Sequence, residues 1–218
     1  MPLTTVTLRS TMPSSALLDS DRGVVADASA VINLVASGAA REVAQVLPAP
    51  LRVVRAVALE LESGRPRWTT SDHLTDLVSA GVVEIVDLDD AASEHFEALV
   101  VGPAAATLDD GEAATIAYAL TNGLAALIDE RKAWRICRER FGTLTVTTTV
   151  DLLLSAGTEQ ALGISGVAEA LFNALSAGRM RVPAVHLERV IEIVGTERAA
   201  LCNSLPIHVR IPSEKRAV

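Results

Sequence analysis

The sequence predicts an α/β fold organised around a five-stranded, mainly parallel sheet. Two patterns carry this expectation. From residue 23 to residue 155, short apolar runs of strand length alternate with longer segments of helical period, and strands separated by helices pair through parallel crossovers. Half of the 218 residues are hydrophobic but only 3% are aromatic, so the core must be built from Ala, Val, Leu and Ile. A chain of this length buries a substantial core, and one domain with extensions is the expected organisation.

The elements follow in order. Residues 1–22 are rich in Ser, Thr and Pro and form an N-terminal extension, either flexible or an added edge strand through the alternating Thr5-Val6-Thr7-Leu8. Gly23 to Asp27 reads as a buried strand. A helix starts at Ser29 and is interrupted near Gly38. A second runs from Ala39 to Leu47, stopped by Pro48 and Pro50. Leu51 to Val54 is the next strand and 56–63 a helix ended by Ser63-Gly64. After the Arg65-Pro66-Arg67 loop, Thr69 to Ala80 is helical, and Val82 to Val86 is the third strand. Asp90 to Val101 is a helix broken by Gly102-Pro103. Asp109-Asp110-Gly111-Glu112 begins the next, with Asp109 or Asp110 as cap and Asn122-Gly123 as the C-terminal stop. Leu124 to Ile128 is a strand, Arg131 to Arg140 a helix, Thr143 to Thr147 a strand and Thr149 to Ser155 a helix. The main domain is therefore placed at 23–157. Residues 158–218 form a helical extension, with helices at about 166–177 and 184–194, packed on the domain and ending in flexible residues.

Four acids stand out in this frame. Asp27 and Asp129 fall where the first and fourth strands end, Glu112 lies in the first turn of a helix, and Glu60 sits in the middle of a short helix. In an open parallel sheet, ligands collect beyond the carboxyl ends of the strands, where strand order reverses. Carboxylates brought together there repel one another unless a cation lies between them, and an all-oxygen donor set suits Mg²⁺ or Mn²⁺. Each acid also has an ordinary alternative. Asp27 and Asp129 can be helix caps, Glu112 can complement the helix dipole, and Glu60 can be a solvated helical acid.

Other chemistries are excluded or weakened. His73, His95, His186 and His208 have no Cys or His at ligand spacing, which disfavours zinc. There is no glycine-rich phosphate loop and no Gly-x-Ser-x-Gly elbow. The net charge of −8 disfavours bulk electrostatic binding to nucleic acid, although a bound metal and a local Arg cluster can reverse the sign at one site. Arg131, Arg135 and Arg138 repeat on one helical face just after Asp129 and are either phosphate-steering groups or a solvated face. Trp134 on that helix is expected to pack, and Arg55 is a further phosphate candidate. Cys137 and Cys202 form no disulfide framework, which fits a reduced cytoplasm. No run long enough to span a membrane is expected, and residues 1–22 do not read as a secretory signal.

The residues that carry this chemistry resemble the PIN-domain family of metal-dependent ribonucleases, in the DUF3368-type branch, which is similar to the toxin halves of VapBC-type toxin–antitoxin pairs. The likeness rests on Val24-Val25-Ala26-Asp27-Ala28-Ser29 with Val31-Ile32-Asn33-Leu34, on Val57-Ala58-Leu59-Glu60-Leu61, on Leu108 to Ala117 and on Leu127 to Ala133. It implies a three-layer α/β/α fold with sheet order 3-2-1-4-5. It implies that Asp27, Glu60, Glu112 and Asp129 ligate Mg²⁺ or Mn²⁺, with the Ser29 hydroxyl orienting a ligand or its water. It implies an endoribonuclease acting on RNA, a toxin of a type II pair held inactive by an antitoxin encoded nearby, and a homodimer. A binding or regulatory protein with a weak metal site is the alternative. Arg55 departs from the apolar residue or Pro that family members often carry there.

Overall fold

The structure, a computed structural model, describes residues 23–63 and 70–210. The strand option for 1–22, the Arg65-Pro66-Arg67 loop and the last eight positions lie outside the described residues.

Five strands form one all-parallel sheet in the order β3-β2-β1-β4-β5: β1 Val24–Ala26, β2 Leu51–Val54, β3 Val83–Val86, β4 Ala125–Leu127 and β5 Val146–Thr147. Ala26 pairs with Val53 on one side and Leu127 on the other, so β1 is central and strand order reverses between β1 and β4. β5 is shorter than its sequence pattern. It is an edge strand whose neighbour, β4, is itself three residues long.

Successive residues of a strand face opposite sides of the sheet, and the two cores divide accordingly. Val24 and Ala26 enter one core, with Ala30, Val31 and Leu34 of α1 (Ala28–Ser37) and Val43 and Ala44 of α2 (Ala40–Gln45). Val57 and Ala58 of α3 (Arg55–Ser63) and Leu74 and Leu77 of α4 (Thr70–Ser79) join it. Val25 and Ala126 enter the other core. There they meet Leu99 of α5 (Asp90–Val100), Ala113 and Ile116 of α6 (Asp110–Asn122), and Ala133 and Ile136 of α7 (Arg131–Arg140). The result is the expected three-layer arrangement. The scarcity of aromatic residues is matched by small aliphatic packing, with Ala113, Ala114, Ala117 and Ala119 letting α6 lie close to the sheet.

The C-terminal region differs from its sequence pattern in detail. α8 is short, Thr149–Leu153, and the next helix begins well before the expected 166. Ser155 accepts from the Thr158 N–H and starts α9 (Ala156–Asn173), which kinks at Gly163 and continues into a π-helical turn, Ala174–Gly178. A 3-10 turn, Ala184–His186, leads into α10 (Leu187–Val194), followed by α11 (Thr196–Leu201) and α12 (Ile207–Arg210), which the periodicity did not indicate. Val167, Leu171, Leu175, Met180, Val190, Val194 and Leu205 share the core of α1 and the sheet. Among the described residues one helix, Ala156–Gly178, is long and apolar enough by length and composition to cross a membrane. It kinks at Gly163, and one face of it packs into the domain core through Val167, Ala170 and Leu171. The π turn lies tight on α1: a Cβ on Gly178 would come within 2.7 Å of Asn33 Oδ1 and 3.1 Å of Ala36 Cβ. The extension thus backs the helix that carries Asn33.

Candidate active site

The site lies at the reversal of strand order. Asp27 directly follows β1, and its backbone N–H continues the ladder by donating to the Leu127 carbonyl at 3.1 Å. That bond brings the end of β4, and Asp129 beyond it, beside Asp27. Asp27 also caps α1: Oδ1 accepts the Ala30 N–H at 2.7 Å, and the Ser29 hydroxyl donates to both oxygens at 3.0 and 3.1 Å. The ordinary capping role and the site placement therefore coexist in one residue.

Asp129 does not cap the helix that follows it. Glu130 is at the N-cap position of α7, without a side-chain bond. Asp129 instead reaches across the sheet end. Oδ2 accepts from Asn33 Nδ2 at 2.6 Å and Oδ1 accepts the Thr149 N–H at 2.8 Å. Protein surrounds this carboxylate, yet the residue keeps part of its surface open. Asn33 lies in the first motif of the resemblance but outside the expected ligand set, and the Thr149 backbone donor carries no sequence signal.

Glu112 is placed by α6. The Thr115 hydroxyl, fully buried, donates to the Gly111 carbonyl at 2.9 Å and reaches the Ala26 carbonyl at 3.4 Å, tying the first turn of α6 to the end of β1. Asp109 occupies the N-cap with extended backbone but makes no side-chain capping bond. Glu60 approaches the same turn from α3. A Cβ on Gly111 would collide with Glu60 Oε2, so glycine at this position is what lets the carboxylate lie against the start of α6.

The electrostatics group the acids. Burial, then the charge of Asp129, pushes the Asp27 carboxyl up to about 8, against the Ala30 and Ser29 hydrogen bonds, and Glu112 adds to the push. Burial and Asp109 raise Glu112 to about 7, opposed by the Asp109 backbone and by Lys132. Burial also raises Asp129, opposed by Thr149 and Asn33. Glu60 is raised by burial and then by Asp109 and Asp110, not by Asp27 or Asp129. Asp27 therefore senses both Asp129 and Glu112, whereas Glu60 stands at the rim and is largely exposed. Among the described residues, no three His, Cys, Asp or Glu side chains converge closely enough to hold a metal ion. Carboxylates that repel one another do not close on a single point by themselves.

Arg131, Arg135 and Arg138 are exposed on α7, the helix that follows Asp129. Arg135 pairs with Glu139 at 2.8 Å and donates to the Ala105 carbonyl, while Arg138 lies over Trp134 at 5.0 Å. Arg55 is engaged by Asp87 through two bonds of 2.6 and 2.8 Å. Lys132, which sequence reasoning passed over, is the cation that acts on Glu112. Cys137 is buried, and its thiol is pushed up to about 12 by burial and then Glu112, so it is inert as a nucleophile.

Comparison with curated proteins and with solved structures finds no match. The DUF3368 family model, described as a PIN domain, matches residues 23–196, past the boundary read at 157 and through α10. With that match over most of the chain and the parallel sheet in the order 3-2-1-4-5, the chain belongs to the DUF3368 family of PIN domains, a nuclease fold.

Proposed function

We propose that the protein is a metal-dependent endoribonuclease, using Mg²⁺ or Mn²⁺ held by Asp27, Glu112 and Asp129 with Glu60 at the rim. The observation that carries this reading is the meeting of Asp27 and Asp129 at the strand-order reversal, with Glu112 close enough to raise the Asp27 pKa further. The donors are all carboxylate oxygens in a protein-lined crevice, the chemistry a hard divalent cation prefers. Such an ion, when bound, offsets the charge that builds on a phosphodiester during in-line attack and lowers the pKa of a water.

The chain's own residues prepare the place. The Ser29 hydroxyl and the Ala30 N–H fix the Asp27 carboxylate, while Asn33 and the Thr149 N–H fix that of Asp129. Partners of this kind orient ligands and typically change metal affinity by about 10–100-fold when removed. Exposed Arg131 and Arg138 on α7 are the candidate phosphate contacts, and Arg135 joins them once released from Glu139. The biological setting we propose is a cytoplasmic toxin of a type II toxin–antitoxin pair, assembled as a homodimer and inhibited by a protein encoded beside it. Val185, Leu201 and Ile207 supply exposed apolar surface on the extension for such contacts.

The test is cleavage of single-stranded RNA with Mg²⁺ or Mn²⁺, abolished by chelator and by Asp27→Asn in a protein that still folds. Light scattering of the purified chain, alone and with the product of the adjacent gene, tests the assembly. A second reading has its own support. Asp27 is only 1% exposed and serves as a helix cap, and among the described residues no three acids converge on a metal position. A catalytically weak PIN-fold binding or regulatory protein would leave RNA intact under all these conditions.

A further inference from the structure

The extension sends one buried side chain back toward the candidate site. His186, at the end of the 3-10 turn, places Nε2 at 2.7 Å from Asp151 Oδ1, and both side chains are 9% exposed. The contact is a close approach of donor and charge rather than an aligned hydrogen bond, since Oδ1 has no hydrogen-bond partner. Burial would push the Asp151 carboxyl up, but His186 and then the Thr148 hydroxyl and N–H hold it below its usual range.

Asp151 is the third residue of α8 and closes a capping box. Its Oδ2 accepts the Thr148 N–H at 2.9 Å and the Thr148 hydroxyl at 2.7 Å, while Thr148 Oγ1 accepts the Asp151 N–H at 3.2 Å. Thr149 is the next residue. As the first residue of α8, its N–H has no partner within the helix, and it donates to Asp129 Oδ1. A helix of five residues does not hold its own geometry in isolation, so the direction of this N–H depends on what fixes the Thr148–Asp151 turn. Among the described residues, His186 is the basic side chain within ion-pair distance of that buried carboxylate. Without it, Asp151 must take up a proton or turn toward water, and either change loosens its grip on Thr148.

We propose that His186 is a positioning residue for Asp129: acting through Asp151, it sets the first turn of α8 so that the Thr149 N–H meets Asp129 Oδ1. The extension is then part of the machinery that orders the site. The consequence for metal affinity rests on the proposed function, but the link to Asp129 does not.

The test compares His186→Leu, which removes the donor, with His186→Gln, whose amide can reach Oδ1. Val190→Ala loosens α10 without touching the pair and serves as control. Two quantities are read on each folded protein: hydrogen exchange of the Thr149 amide relative to that of Ala126, and Mn²⁺ affinity. His186→Leu should speed Thr149 exchange on the order of tenfold relative to Ala126 and weaken Mn²⁺ binding about tenfold. His186→Gln should restore most of both. Val190→Ala should lower the melting temperature while leaving both readings unchanged. Should His186→Leu fail to fold, His186→Asn, too short to reach Oδ1, is read in its place. Unchanged Thr149 exchange in the donor-less variant overturns the proposal, and so does an equal change in Val190→Ala. A wild-type chain that takes up no Mn²⁺ sinks the proposed function instead, and the exchange result alone then decides the link between His186 and Asp129.

Discussion

Asp27→Asn should make the metal-free protein more stable near pH 8 while removing its response to metal. Burial and the charges of Asp129 and Glu112 raise the Asp27 pKa from 3.8 to about 8 in the folded protein. Between those two values the folded state holds a proton that the unfolded state releases. Stability therefore falls as pH rises through this window and levels off above about pH 8. At about 1.4 kcal/mol per pKa unit, Asp27 costs at most about 4 kcal/mol at pH 7. Asparagine removes the charge, but it also weakens the Ser29 and Ala30 contacts that favour the carboxylate, since charged acceptors bond more strongly. We expect a net gain of about 2 kcal/mol at pH 8, or roughly 4–8 °C in melting temperature, and almost none at pH 4. The assay is thermal unfolding in chelator at pH 4 and pH 8, repeated with Mn²⁺. Ligand that binds only the folded state at 100 times its dissociation constant adds about 2.7 kcal/mol, which wild type should show and the variant should lack. A variant that is destabilised equally at both pH values, or that keeps the full Mn²⁺ shift, would refute the reasoning.

Three further outcomes are expected. Gly111→Ala should displace Glu60 from the start of α6 and lower the metal-dependent rate on the order of tenfold or more, with little loss of melting temperature because Ala favours the helix; an unchanged rate would show that the Glu60 position is immaterial. Replacing Arg131, Arg135 and Arg138 together by Ala should raise KM for RNA and flatten its salt dependence by about 0.7 log units per lost contact, with Mn²⁺ affinity unchanged. The same KM at every salt concentration would make α7 a solvated face. Asp151 titrates below its usual range, so its contribution is present above about pH 4 and lost as the pH falls through the lowered folded value. Wild type should thus lose stability on acidification, and Asp151→Asn should lose less, as followed by melting temperature between pH 5 and pH 2.

The strands and helices of residues 23–155 were legible because local chemistry marks them. Apolar runs of strand length, and Gly38 and Gly123 at helix ends in the left-handed region, are signals contained in a few adjacent residues. Asp27, Glu112 and Asp129 were legible for the same reason, since each lies where an element ends or begins. Three-dimensional packing was needed for whatever joins distant residues. Asn33 meets Asp129 across 96 positions and Thr149 meets it across 20, and no periodicity encodes either bond. Glu60, a mid-helix acid, was expected at the rim of the pocket or inside it. Only the approach of α3 to Gly111 places it at the rim, among Asp109 and Asp110. Arg55 looked free for phosphate until Asp87, at the end of β3, was found beside it. His186 and Asp151 read as an isolated histidine and a helical acid. Their pairing exists because the extension buries its apolar face on α1 and carries His186 back to α8. Local patterns specify elements through backbone sterics and hydrogen bonding. Which side chains then share a crevice depends on the burial of apolar faces far apart in the chain, and that is a property of the assembled fold.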